Sequence, residues 1–381
     1  MNVVVLGAGR VGAVMAADLA AESRFRVCAV DRDPTRLAAA ARCGVATKVA
    51  DLADAKAVRA ATQDADFVVS AVPGFLGFAT LRTLLEAGHR VVDIAFFPED
   101  PFSLDALATS RGALAVIDCG VAPGMSNVLV ARAAARLRSV HRVRIYVGGL
   151  PTIRRWPYEY KAGFSPIDVV EEYTRPARVV RQGRIEILPA LSEVESLDFP
   201  GIGTLEAFVT DGLRTLIRTI PAPDMVEKTL RYPGHADRIR TLRETGFFSD
   251  IPVQVGDVRV RPIDLATKLL FPLWQMEEGD EDVTVMRVVV EGESPDGPQR
   301  IQTDLFDRFD RSTGTSAMAR TTGFAATSAI RLLASGAVDG PGLLPPEALG
   351  RREDWVTRLL ADLRDRGIEY RETVGPLACG S

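Results

Sequence analysis

Residues Val3 to Gly12 read VVVLGAGRVG: an apolar run passes directly into Gly7, Gly9 and Gly12, and the helix-forming stretch AVMAADLAAE follows. The G-x-G-x-x-G spacing gives each glycine its own task. Gly7 permits the tight turn, Gly9 lets the backbone approach a pyrophosphate, and Gly12 lets the helix pack against the strand. Arg10 and Val11 sit at the helix start, where backbone N–H groups would face the phosphates. Glycines also punctuate ordinary turns. Here, however, a strand precedes, a helix follows, and a second strand, RVCAV, ends in Asp31, which is the context that this motif requires. The chain therefore reads as a dinucleotide-binding protein.

Asp31 bears on the choice of cofactor. At the end of the second strand its carboxylate can accept hydrogen bonds from the adenosine ribose hydroxyls and would repel a 2′-phosphate, which favours NAD over NADP. Arg32 and Arg36 pull the other way, because a guanidinium beside the ribose can pair with that phosphate. Both also fit a solvated helix start.

With 381 residues the chain is long for one core and predicts two domains. Its 47% hydrophobic and 25% charged content is that of a soluble globular protein. A net charge of -4 and a pI near 5.6 give no support for a nucleic-acid or anionic-membrane partner. No early segment reads as a signal peptide, since the first apolar run is committed to the glycine turn. No run is long enough to span a bilayer, and a cytoplasmic location is the expectation. Cys28, Cys43, Cys119 and Cys379 are scattered without a C-x-x-C pair, and His89, His141 and His235 are too dispersed for a sequence-readable metal site. No metal is expected.

Up to about Pro123, the apolar strands VVVL, RVCAV, DFVVSAV from Asp66, RVVDIA from Arg90 and ALAVID from Ala113 alternate with helix-like segments such as 34–43 and 78–88. This alternation predicts a parallel sheet covered on both faces. Ligands of such sheets bind beyond the carboxyl ends of the strands, where Ser70, Val72, Pro73, Asp93 and Asp118 fall. The Ser70 hydroxyl and the backbone through Val72 and Pro73 are candidate cofactor contacts. From Met125 the pattern changes. A helix, SNVLVARAAARLRS, a strand, HRVRIYVGG, and a loop-rich stretch holding Trp156, Tyr158, Tyr160, Lys161 and Ser165 come first. Strand candidates at 184–188, 193–198 and 283–291 follow, with helices near 211–219, 236–245 and 262–274. After Arg311, SAMARTTGFAATSAIRLLASG reads as a helix that docks back on the N-terminal sheet, and EDWVTRLLADLRDRG as an amphipathic helix that ends the fold. The expected architecture is α/β. A discontinuous Rossmann-type parallel-sheet domain, 1–123 completed by about 311–350, carries an inserted mixed α/β substrate domain at 124–310 and a C-terminal helix and tail at 351–381.

The stretches GAGRVG at Gly7, DCGVAPGMSN at Asp118, GGLP at Gly148, KTLRYPGH at Lys228, GFF at Gly246 and MARTTGF at Met318 resemble the saccharopine dehydrogenase superfamily, and within it the lysine 6-dehydrogenase branch. They spread over most of the chain in the family's order. The resemblance implies an NAD(P)-linked oxidoreductase whose inserted sheet domain shapes the site and mediates homodimerisation. It also implies that Arg231 of the L-R-Y segment binds a substrate α-carboxylate; Phe164 and Ser165 resemble an aromatic-Ser segment less tightly. The Asn-Arg-Asp segment of saccharopine reductases is absent, with GIGTLEAF standing at about that place. That departure favours a smaller amino acid over saccharopine.

Oxidising an amine with NAD needs a base to take the ammonium proton before hydride leaves. Asp93 and Asp118 lead because both fall at strand ends, although a helix cap or loop role also fits each; the DCGVAPG context of Asp118 matches the resembled family. Lys161 and His235 are secondary candidates, the first needing burial to lower its pKa, the second opening a helix where it could serve near the cap. Tyr160 is a candidate substrate contact beside its commoner role in packing. Cys119 has no neighbour in sequence to activate it and reads as a small buried apolar residue. Asp304, Asp307 and Asp310, with arginines at 308 and 311, read as a solvated charged face or turn. The expected activity is NAD-dependent oxidative deamination of an amino acid, with L-lysine to its 6-semialdehyde first. Its rivals are an imine-reducing condensing enzyme and a catalytically silent NAD-binding regulator.

Overall fold

The computed structural model describes residues 1–377, so Cys379 lies outside the described residues. The chain divides into two compact units: Met1–Arg136 with Ala319–Tyr370, and Leu137–Met318 with the chain from Arg371.

The first unit is built on seven parallel strands. They are β1 (Asn2–Leu6), β2 (Arg26–Asp31), β3 (Ala46–Val49), β4 (Phe67–Ser70), β5 (Arg90–Asp93) and β6 (Leu114–Val116), completed by a late strand, Gly342–Leu344, which pairs with β6. The spatial order runs from that late strand through β6, β5, β4, β1 and β2 to β3. It reverses between β1 and β4, the switch point at which doubly wound sheets hold their ligands. Runs such as VVVL form the inner strands because branched apolar side chains fill both faces; Val3, Val5, Leu6, Val68, Val69, Val91 and Val92 are all fully buried. Asp33 and Asp54 start the helices Pro34–Arg42 and Ala55–Thr62 by accepting the N–H of Thr35 and of Lys56, each at 2.9 Å.

Several expectations give way here. Strand β3 carries no apolar signal because all four of its residues are exposed at the sheet edge. The helix Met125–Ala134 belongs to the first unit, so the boundary falls at Arg136 instead of Pro123. It is held there by the short helix Pro346–Gly350: a Cβ on Gly350 would stand 2.3 Å from the Val128 carbonyl oxygen, and Asn127 donates to Glu347 at 2.9 Å. The helix Ala317–Ala334 packs against the helix Arg10–Ala20, with Thr327 donating to Asp18 at 2.6 Å and Arg331 paired with Asp18 at 2.9 Å. The amphipathic helix Glu353–Asp365 does not end the fold, since a further strand follows.

The second unit is built on a nine-stranded mixed sheet. Its strands, numbered on from β6, are β7 (Ser139–Pro151), β8 (Ala177–Arg181), β9 (Arg184–Leu188), β10 (Glu195–Phe199), β11 (Gly203–Val209), β12 (Asp224–Arg231), β15 (Asp282–Ser294), β16 (Gly297–Arg308) and β18 (Tyr370–Pro376). The late strand of the first unit is β17, and β13 (Val253–Val255) and β14 (Val258–Val260) form a separate hairpin. Within the large sheet β12 runs parallel to β7, and β15 pairs antiparallel with both β7 and β16. Of the expected helices, 262–274 is present throughout, whereas 211–219 shrinks to Leu216–Thr219. Asp211 instead accepts the Arg178 backbone N–H and its guanidinium, and Arg214 adopts a φ of +50, which no right-handed helix admits. Asp304 and Asp307 lie on β16, where Asp304 takes Arg287 at 2.7 Å on a partly exposed face and Asp307 is buried, while Asp310 lies in the turn beyond and accepts the Ser312 N–H at 2.9 Å.

Candidate active site

In the first unit the three glycines of the opening motif differ as their chemistry requires. Gly7 has φ +98, and a Cβ there would stand 2.5 Å from the Ala71 carbonyl oxygen; a Cβ on Gly12 would lie 1.9 Å from the Gly7 oxygen. Nothing lies within 4 Å of a Cβ built on Gly9. That open space stands over the start of the helix Arg10–Ala20, whose cap residue is Gly9 and whose first turn takes no side-chain cap. A helix start capped by glycine, with room above it, fits a pyrophosphate. Asp31, at the end of β2, accepts the Ala8 N–H at 2.8 Å and the Asp33 N–H at 2.9 Å, tying the glycine turn to β2. Arg36 approaches Asp31 at 3.9 Å and Asp33 at 3.5 Å. Arg10 and Arg32 are exposed, Val11 is half-buried and Val72 buried. Ser70 is fully buried, and the backbone of Ala71 and Val72 that follows it lies against the glycine turn, 2.5 to 3.5 Å from where a Cβ on Gly7 would stand. Pro73 caps the following helix, Gly74–Glu86.

Asp93 and Asp118 come together at the carboxyl ends of neighbouring strands. Asp93 closes β5, pairs in register with Ser70 of β4 and is wholly buried; its carbonyl accepts the Cys119 N–H at 2.9 Å. Asp118 follows β6, is 2% exposed and sits at φ +49, a left-handed conformation that costs a non-glycine residue energy and that aspartate tolerates better than most. Burial, with the charges of Asp93 and Asp118 beside it, pushes the Cys119 thiol up to about 12. Cys119 is therefore a neutral, buried thiol, in keeping with its reading as an apolar residue.

The second unit brings Tyr160, His235 and Arg231 together and turns them inward. Burial, reinforced by the Arg231 charge, pushes His235 down to about 3, so its ring is neutral. One ring nitrogen, Nδ1, lies 2.9 Å from the Tyr158 carbonyl and must donate to it; Nε2 then accepts from the Tyr173 hydroxyl at 2.9 Å. Tyr173 in turn accepts from Arg231 Nε at 3.2 Å, while Nη1 donates to the Leu230 carbonyl and Nη2 to Glu172, each at 2.9 Å. The guanidinium stacks 4.4 Å over the Tyr160 ring, which packs on His235 and Trp274. Although burial works against its charge, Tyr173, Tyr160 and Glu172 hold Arg231 protonated beyond its usual range.

These contacts revise four candidates. His235 is no base, since both nitrogens are occupied and the ring stays neutral. Arg231, 2% exposed, is bound to Glu172 and does not present an open fork to a carboxylate. Tyr160 is a core ring, 4% exposed, with its hydroxyl pushed well above its usual range by burial. Lys161 donates to the Gln275 carbonyl at 2.7 Å and lies 3.6 Å from both Glu277 and Asp280, so its Nζ is already engaged by partners of its own unit. Ser165 caps the helix Pro166–Thr174 by position, without a side-chain cap bond. The residues missed from sequence are Glu172 and Tyr173, adjacent on that helix. Nothing local distinguishes them from an amphipathic face.

Among the described residues no helix is long and apolar enough to cross a membrane. Nor, among the described residues, is any group of three or more His, Cys, Asp or Glu placed to hold a metal.

Comparison with known proteins gives a consistent set of likenesses. Residues 3–137 match the family described as saccharopine dehydrogenase NADP binding domain, and residues 120–368 match saccharopine dehydrogenase C-terminal domain. Saccharopine dehydrogenase (NADP+, L-glutamate-forming) of Saccharomyces cerevisiae is 22% identical, over 91% of this chain and 93% of the relative. The Pyricularia oryzae protein of that name is also 22% identical, over 85% and 88%. The solved apo structure of the S. cerevisiae saccharopine dehydrogenase (L-Glu forming) matches with a TM-score of 0.80 at 20% identity, covering 98% of this chain and 99% of that one. That likeness is one of fold.

Proposed function

Because the chain belongs to the saccharopine dehydrogenase family, and with it is a pyridine-nucleotide-dependent oxidoreductase acting on CH–NH2 or CH–NH groups, we propose that it oxidises the primary amine of a small amino acid, L-lysine to its 6-semialdehyde first, with NAD, as a homodimer. The observation that carries this reading is the pair of buried carboxylates, Asp93 and Asp118, at adjacent strand ends of the nucleotide-binding sheet. An amine is an ammonium at neutral pH, so one proton must leave nitrogen before the neighbouring carbon can release hydride. Asp118 takes that proton and Asp93 holds the positive charge of the iminium that forms. A bound nicotinamide supplies the hydride acceptor. Water then adds to the iminium carbon, and the C–N bond breaks to give aldehyde and ammonium.

Two observations favour these choices within the family. Saccharopine carries several carboxylates, and the cation that the L-R-Y segment would offer them is already committed to Glu172. Asp31 ends β2 and Asp33 caps the next helix, and the Arg36 guanidinium lies against both carboxylates, which draws its charge away from a 2′-phosphate. The second reading, an imine-reducing saccharopine-type enzyme using NADP, draws on the activity in the relatives' names.

The test is a panel of L-lysine, L-ornithine and saccharopine, each with NAD+ and NADP+, followed by nicotinamide absorbance. L-lysine with NAD+ should be fastest. Turnover confined to saccharopine overturns the substrate assignment, and tighter NADP+ binding overturns the cofactor assignment. Asp31→Ala should narrow the NAD preference by removing the repelling charge.

A further inference from the structure

Asp118 opens a loop, 118–124, whose far end is the start of a helix. At its near end the Cys119 N–H donates to the Asp93 carbonyl at 2.9 Å, which ties the loop to β5. Beyond that the loop folds onto itself: Gly120 donates to the Pro123 carbonyl at 3.1 Å, Met125 to the Gly120 carbonyl at 2.9 Å and Ser126 to the Val121 carbonyl at 3.0 Å. The last two donors are the first residues of the helix Met125–Ala134. Gly124 joins loop to helix at φ +133, where a Cβ would lie 2.0 Å from the Gly120 oxygen. A glycine has no side chain with which to bind the helix it precedes. Asn127 supplies the bond instead. Its Oδ1 accepts the Gly124 N–H at 3.3 Å and the Ser126 hydroxyl at 2.9 Å, and its Nδ2 donates to Glu347 Oε1 at 2.9 Å. Asn127 and Glu347 are both wholly buried.

We propose that Asn127 and Glu347 are positioning residues for Asp118: Glu347 sets which way the Asn127 amide faces, and the amide holds the turn that carries Asp118. This rests on the reading of Asp118 as the base. An amide can be turned end for end, and only one of its two orientations offers an oxygen to Gly124. Glu347 takes the Nδ2 end, so Oδ1 is left for Gly124 and Ser126. Reversed, the amide would set its own N–H groups against the Gly124 N–H and leave a buried donor unmet. The helix start, and with it the bonds of Met125 and Ser126 to the loop, would then shift. Asp118 stands two residues before Gly120 at φ +49, a conformation kept only where its surroundings over-determine it. It is therefore the residue that relaxes first. Gly350 is part of the device, because a Cβ there would lie 2.3 Å from the Val128 oxygen, and its absence lets the helix Pro346–Gly350 come close enough for Glu347 to reach Asn127.

Asn127→Asp sets a carboxylate against Glu347 and removes the donor between them. A reacting group misplaced by about 1 Å can lose about a hundredfold in rate. The turnover number of this variant, measured on the fastest substrate of the panel well below its melting temperature, should fall about tenfold or more, while its Michaelis constant and NAD affinity stay within about twofold. Asn127→Asp combined with Glu347→Gln reverses the polarity of the pair, since the glutamine amide now donates and the aspartate oxygens accept from it and from Gly124. That swap should restore most of the turnover. In an Asp118→Asn background, Asn127→Asp should lower turnover no further, because no base is left to misplace. Should Asn127→Asp fail to fold, Glu347→Met, which keeps the side-chain volume and removes the acceptor, takes the same readouts. A lowered melting temperature with turnover per folded molecule unchanged overturns the proposal, and so does an equal loss in the Asp118→Asn background. Full activity of Asp118→Asn itself overturns the base reading and this proposal with it. An inactive Asp118→Asn beside a fully active Asn127→Asp overturns the positioning alone.

Discussion

Asp118 holds its carboxylate at a strand end in a strained backbone conformation, φ +49, and strain of this kind persists only where the surroundings over-determine it. Asp118→Asn keeps size and hydrogen-bonding shape but removes the charge that receives a proton. Turnover should fall by about a hundredfold or more, in the range of general-base loss, while NAD affinity measured by titration stays within about twofold. Asp93→Asn should lower turnover less, because it affects a charge contact and not the transfer itself. Full activity in both variants would place the base elsewhere. Arg231 behaves differently. Truncating one partner of a buried pair costs about 3 to 5 kcal/mol, and Arg231→Ala would leave Glu172 and Tyr173 without the contacts they make now. The expected outcome is a large drop in melting temperature, with Arg231→Lys recovering only part of it, since an ammonium cannot reach Leu230, Tyr173 and Glu172 at once. An unchanged melting temperature with a raised Michaelis constant would return Arg231 to the role of carboxylate clamp.

At the scale of the element, the glycine turn and its helix separate two effects that glycine motifs usually combine. Gly12 has no room for a Cβ, so Gly12→Ala should damage the fold of the first unit and cofactor binding together. Gly9 has room and an ordinary φ of -69. Gly9→Ala should therefore leave the cofactor-free melting temperature unchanged or slightly raised, by about 0.4 to 1 kcal/mol through the unfolded state. It should nevertheless weaken NAD binding about tenfold or more, because the methyl group occupies the space left for the pyrophosphate. Unaltered NAD affinity in Gly9→Ala would show that the phosphates do not pass there. The turn was legible in ten residues because its geometry is set by which of them lack a Cβ. Strand β3 was not, since an exposed edge strand needs no apolar pattern, and neither was the membership of the helix Met125–Ala134, which depends on a partner at Pro346–Gly350.

Across the whole molecule, two buried groups set opposite slopes of stability with pH. Burial raises Glu227 from 4.5 to about 8 despite its bond from Thr210. Its folded pKa lies above its unfolded one, so the stability it lends is complete below about 4.5 and is lost as pH rises through about 8. His235 is depressed from 6.5 to about 3, so the stability it lends is complete above about 6.5 and is lost as pH falls through about 3. Glu227→Gln keeps the acceptor for Thr210 and removes the ionisation. Its melting temperature relative to the parent should climb between about pH 4.5 and 8 and level off above. A difference independent of pH would mean that Glu227 ionises normally.

The parallel sheet, the glycine turn, the acidic end of β2 and the strand-end positions of Asp93 and Asp118 all follow from neighbours in the chain, because turn geometry and strand pattern are properties of adjacent residues. The fates of Arg231, His235 and Lys161 do not. Arg231 is answered by Glu172 across 59 positions, His235 by Tyr173 across 62, and Lys161 by Gln275 across 114. Each of these three side chains carries the chemistry of a catalyst when read alone. Whether it can act depends on the charge and solvent left to it once the sheet closes, and desolvation and pairing arise only when distant segments meet.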